Sequence, residues 1–72
     1  MGVGHYPMKM TSRMRQVLGG IAQGHTNLVI AGRLNLSPKT VEKHRTKLYA
    51  LFRVDNAVSL VVSAIRTGEV RV

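Results

Sequence analysis

Only Asn35 and Leu36 stand between a run of helical apolar spacing that ends at Leu34 and a helix start at Ser37. So short a connection leaves two helices no room to run side by side, and they must cross steeply as a helix-turn-helix. The second of the pair is the better signalled. The Ser37 hydroxyl can accept from a first-turn amide, and Pro38 suits N1, where no amide hydrogen is needed. From there to Phe52 the residues sort onto two sides. Val41, Leu48 and Phe52 make an apolar seam on the side that also holds His44 and Arg45. Lys39, Glu42, Lys43, Thr46 and Lys47 make a polar, mostly basic edge.

The rest of the chain supplies what this pair leans on. A first helix begins with Thr11 or Ser12 as N-cap, carries Met14, Val17, Leu18, Ile21 and Ala22 at helical spacing, and ends at Gly24. Gly19 and Gly20 inside it each cost up to about 1 kcal/mol relative to Ala, so either a neighbouring backbone comes close there or the helix is locally weak. Thr26 caps a second helix over residues 27–34, with Ile30, Ala31 and Leu34 inward and Leu28 and Val29 widening its apolar surface. A fourth helix starts near Asp55 or Asn56 and ends at Gly68. Its apolar residues cover more than one face, which a surface helix does not need. Either the helix is deeply buried in its own domain, or Leu60, Val61, Val62, Ala64 and Ile65 form a homodimer seam, the reading preferred here. The expected fold is all-α: a three-helix helix-turn-helix core plus a fourth, dimerisation helix. It occupies residues 11–72, after a lead or linker remnant over residues 1–10 whose glycines and proline show no period.

At 72 residues the chain is one small domain with a marginal core, helped by self-association or a partner. It has no cysteine, which excludes disulfides and Cys-type zinc sites, and its three histidines lack carboxylate neighbours at ligand spacing. No metal or cofactor is expected. Eleven Lys and Arg against three acidic residues give a net charge of +8. Six of the basic residues fall between Arg33 and Arg53, opposed only by Glu42. Charge of this sign, concentrated on a helix of this form, points to double-stranded DNA, with the helix in the major groove. No apolar run approaches membrane-spanning length, and residues 1–10 lack the apolar core of a signal peptide, so the chain reads as soluble and cytoplasmic.

Several residues at set distances carry a resemblance: Thr11, Arg13, Val17-Leu18, Ile21-Ala22-Gln23-Gly24, Asn27, Ile30-Ala31, Arg33-Leu34, Leu36-Ser37, Lys39-Thr40-Val41, His44-Arg45, Leu48, Val54 and Asn56. Over about residues 10 to 70 the chain resembles the DNA-binding domain of the LuxR family, also called the GerE or NarL type. The resemblance implies a four-helix domain that binds DNA as a dimer. By position, base reading would fall to Glu42, Lys43 and Thr46, with Lys47 at the margin. Phosphate binding would fall to Thr26, Asn27, Ser37, Lys39, Thr40 and Arg45, and again Lys47. Lys43 can donate to guanine, whereas Glu42 either accepts from a cytosine amino group or pairs internally with Lys39 or Arg45. His44, on the inward side, is expected to be packed and hydrogen-bonded.

Departures from the family pattern carry expectations of their own. Met14 replaces a Glu that would close a capping box, and Leu28, Val29 and Leu51 stand where polar residues are usual. Leu28 and Val29 mark either a protein interface, for RNA polymerase or a regulatory domain, or a broader core. Arg53 replaces a frequent Gly after the third helix, which puts the left-handed cap there in doubt. The function expected is the effector domain of a transcriptional regulator, part of a longer protein with a receiver or sensor domain or standing alone. The competing class is a protein-protein adaptor on the same scaffold, to which Leu28, Val29, Leu51 and the fourth helix would contribute. An enzyme is not expected, for want of paired carboxylates, an activated nucleophile or a Gly-rich phosphate loop.

Overall fold

In the computed structural model, which describes residues 10–71, the chain forms four helices: α1 (Ser12–Ala22), α2 (Asn27–Leu34), α3 (Pro38–Phe52) and α4 (Ala57–Arg66). Every helix starts on a short polar side chain that takes a first-turn amide. Thr11 accepts from the Met14 N–H at 3.1 Å, Thr26 from Val29 at 3.2 Å, Ser37 from Thr40 at 3.1 Å and Asn56 from Ser59 at 2.8 Å.

All four helices also end in one way. A left-handed residue follows each last turn: Gly24 (φ +83), Asn35 (φ 59), Arg53 (φ 57) and Gly68 (φ +81). The next amide then reaches back five residues: His25 to Gly20, Leu36 to Ala31, Val54 to Tyr49 and Glu69 to Ala64, at 2.8–3.0 Å. This is the Schellman closure, which satisfies carbonyls the helix would otherwise leave open. The cap doubted at Arg53 is therefore present. Its backbone is held by the bond from Val54 to Tyr49 and by the packing of Val54 against the core, although a side chain in this region costs about 1–2 kcal/mol.

The core is aliphatic, as the scarcity of aromatic residues requires. It comprises Met14, Val17, Leu18 and Ile21 from α1, Ile30 and Ala31 from α2, Val41, Leu48 and Leu51 from α3, and Leu60 and Ala64 from α4. The α3 helix touches each of the others, whereas α2 and α4 do not meet. A helix with three neighbours needs a wide buried arc, so Leu51 lies inside and offers nothing to an adaptor surface. Leu60 and Ala64, expected on a dimer seam, are fully buried against the chain's own core and out of reach of a second copy.

The question posed by the paired glycines resolves to a side chain. Gly19 has open space around its Cα, but Gly20 lies directly against Ile30 of α2. Two polar ties close the domain: the Arg13 guanidinium donates to the Leu34 carbonyl at 3.3 Å, and Arg15 pairs with Glu69. Met10, assigned from sequence to the lead, packs against the core, while the remainder of that lead, residues 1–9, lies outside the described residues. Among the described residues no single helix is long and apolar enough to cross a membrane.

Candidate nucleic-acid interface

The N-terminal half of α3 stands out from the core because its apolar seam is spent on Val41 and Leu48, both fully buried. Lys39, Glu42, Lys43, Thr46 and Lys47 are all exposed and line one shallow depression on the outer side. The spacing expected from helical geometry therefore becomes a single contiguous edge. Glu42 makes no internal ion pair: among the described residues the one ion pair is Arg15–Glu69, far along the sequence from α3. Its carboxylate is free beside Lys39 and Lys43, able to accept from a donor outside the chain.

Helix starts flank this edge. At α3 the Ser37 hydroxyl takes the Thr40 amide and also lies 2.9 Å from the Thr40 hydroxyl. Those two hydroxyls share one hydrogen between them, so the pair keeps one O–H to give away. At α2 the Thr26 oxygen is occupied by the Val29 amide, but its own hydrogen is unclaimed. The first-turn amides of Asn27 and Leu28 have no partner within the helix, and the partial positive charge of the terminus favours an anion there.

Arg45 is placed differently from the lysines. Half-buried on the side of α3 that faces α2, it donates from Nη1 to Asn27 Oδ1 at 2.9 Å and from Nε to the Tyr49 hydroxyl at 3.0 Å. Its guanidinium carbon also lies 5.9 Å from the centre of the Tyr49 ring, within cation–π range. Two expected phosphate ligands, Asn27 and Arg45, are thus brought together and bonded to each other. Tyr49 had no assigned role from sequence, although its i,i+4 spacing from Arg45 was a usable clue.

His44 is packed, as expected, but Nδ1 is buried without a hydrogen-bond partner, so the expectation of a hydrogen-bonded imidazole fails at that nitrogen. Among the described residues no group of three His, Cys, Asp or Glu could hold a metal ion. On α4 the exposed apolar residues are Val58 (74%), Val62 (43%) and Ile65 (39%), with Val61 half-buried beside them. Val58 was missed in the sequence, where its i, i+4, i+7 relation to Val62 and Ile65 could have revealed it. On α2, Leu28 is 72% and Val29 42% exposed, which decides against the broader core and leaves an open apolar spot.

The family described as "Bacterial regulatory proteins, luxR family" matches residues 8–64. The chain is 40% identical over 60 residues to the "Uncharacterized response regulatory protein YgeK" of Escherichia coli (strain K12), covering 83% of this chain and 41% of that protein. It is 42% identical over 66 residues to the "Probable transcriptional regulatory protein SgaR" of Hyphomicrobium methylovorum, covering 86% and 31%. To the "Transcriptional regulatory protein UhpA" of Escherichia coli (strain K12) it is 47% identical over 51 residues, covering 71% and 26%. The chain thus spans less than half the length of these relatives. No solved structure gives a significant match.

Proposed function

The chain belongs to the luxR family of bacterial regulatory proteins, a family of helix-turn-helix DNA-binding domains that act in transcription regulation, and from that premise we propose that it reads a specific double-stranded DNA site as the effector domain of a regulator. The observation that carries this reading is the exposed edge of α3, where Lys39, Glu42, Lys43, Thr46 and Lys47 stand together on the outer side of the helix. Lys43 donates to guanine O6 and N7, Glu42 accepts from a cytosine amino group, and Thr46 and Lys47 reach neighbouring bases. Lys39, Thr40, Ser37, Thr26 and Asn27 hold the phosphates on either side, which sets the register of α3 in the groove. Its role is binding and not catalysis, and its place of work is the cytoplasm, where bacterial DNA lies.

Two copies would pair through Val58, Val62 and Ile65, the exposed apolar stripe of α4, together with Val61, which is half-buried against the core beside them. A twofold pair of this kind places its two α3 helices on half-sites about 34 Å apart, one turn of DNA. The exposed Leu28 and Val29 support a second contact, with RNA polymerase or with a regulatory domain of the longer protein, and are also what an adaptor would use.

The test is anisotropy of a labelled duplex library over a series of salt concentrations, followed by sequencing of the retained fraction. A steep fall of affinity with salt together with enrichment of a short inverted repeat is the expected result. A steep fall without enrichment reduces the function to nonspecific charge, and little binding at low salt transfers it to the adaptor.

A further inference from the structure

Arg45 sits in the recognition helix beside basic residues that face outward, yet its guanidinium is turned toward α2 and bonded to Asn27 and Tyr49. Because a guanidinium has donors only, the Asn27 group that meets it must be the carboxamide oxygen. That fixes which way the amide faces. The Asn27 amino nitrogen makes no hydrogen bond among the described residues and is not a buried unpaired atom, so it opens to solvent at the start of α2. A cation on the oxygen of an amide draws electron density toward that oxygen and makes the amino hydrogens stronger donors.

We propose that Arg45 is a positioning residue: by holding Asn27 through its oxygen and bracing against Tyr49, it aims the Asn27 amino group at a DNA phosphate and locks the start of α2 to the middle of α3. The proposal rests on the DNA-binding reading above. The lock ties the helix that clamps the backbone to the helix that reads the bases, across 18 residues of sequence, so both meet the duplex as one surface. Arginine is required because Nη1 and Nε reach two separate acceptors at once, whereas the single ammonium of a lysine serves one place.

The experiment is a double-mutant cycle on the whole chain with Arg45→Lys, Asn27→Ala and both together. Binding is read by anisotropy against the enriched duplex and a scrambled duplex of equal length, after circular dichroism has shown each variant to be folded. Asn27→Ala is expected to weaken both duplexes by about tenfold to a hundredfold, the range of one hydrogen bond to a charged group. Arg45→Lys keeps the charge and is expected to weaken them as much, with an unchanged dependence on salt. The double variant then binds no worse than the weaker single, since both changes remove one contact.

Wild-type affinity in Arg45→Lys, or losses that multiply in the double variant, overturns the positioning role in favour of a direct phosphate contact. If Arg45→Lys melts too early, Tyr49→Phe frees Nε while leaving the charge and the ring. It is expected to lower affinity in the wild-type background but not beside Asn27→Ala, and equal losses in both overturn the proposal. Failure of the wild-type chain to bind any duplex overturns the DNA-binding reading and this proposal together. An unchanged Arg45→Lys overturns only the latter.

Discussion

Ile30 Cγ1 lies 2.7 Å, and its Cδ1 3.0 Å, from the point where a Cβ on Gly20 would stand, so α1 and α2 meet there at a distance that only glycine permits. Ile30 is 2% exposed, so making room for a methyl means displacing a side chain packed in the core. Gly20→Ala is therefore expected to destabilise the domain by about 1–3 kcal/mol despite the better helix propensity of alanine. Gly19→Ala, with nothing within 4 Å of its new methyl, should gain up to about 1 kcal/mol. Thermal melts followed by circular dichroism check the pair, and equal shifts would show that the contact with Ile30 carries no weight.

Arg53 holds a conformation that favours glycine, at φ 57, in a cap whose hydrogen bonds come from the backbone alone. Removing the side chain should relieve about 1 kcal/mol. Arg53→Gly is expected to raise the melting temperature by about 4–8 °C for a domain of this size. A lowered melting point would show that the arginine side chain stabilises something the cap geometry does not reveal.

Leu60 and Val62 are two residues apart on α4 and face opposite fates. Leu60 is fully buried, so Leu60→Ala should cost about 2–5 kcal/mol and unfold much of the population. Val62 is 43% exposed, so Val62→Asp should keep the helical signal and shift sedimentation toward the monomer. Loss of helicity in Val62→Asp would place that residue in the core, and an unchanged sedimentation profile would remove it from the pairing face.

On the DNA side, Lys43→Ala should weaken the preferred duplex by about 1–3 kcal/mol and random DNA much less. Lys39→Ala should weaken both alike and lower the slope of log affinity against log salt by about 0.9, the value of one phosphate contact. Equal losses for Lys43→Ala on both duplexes would take it off the list of base readers.

What could be read from the sequence was whatever short-range chemistry decides. Thr26 and Ser37 announced their helices because a cap needs only a polar side chain and an amide three residues on, and Thr11 and Asn56 did so within one residue. The basic edge of α3 was equally legible, since helical periodicity alone places Lys39, Glu42, Lys43, Thr46 and Lys47 together. Periodicity names a face without naming its neighbour. For that reason Leu51, Leu60 and Ala64 were misplaced: each lies where a second helix arrives from a distant part of the chain. The bond between Arg45 and Asn27 was invisible for the same reason, as it exists only once α2 and α3 have crossed. Glu42 stayed open between two roles, because i,i+3 spacing permits an ion pair and does not compel one, and solvent screens such pairs to little net gain.

The pairing of Arg15 with Glu69 spans 54 residues, joining the first turns of α1 to the segment after α4. On a ribosome that emits about 5–20 residues per second, the two partners emerge some 3–10 seconds apart. Through that interval α1, eleven residues long and holding two glycines, has no α4 to lie against and is too short to persist as a helix by itself. The domain therefore cannot complete itself piece by piece during synthesis. Its packing closes only once Glu69 has emerged and α4 can lie against α1.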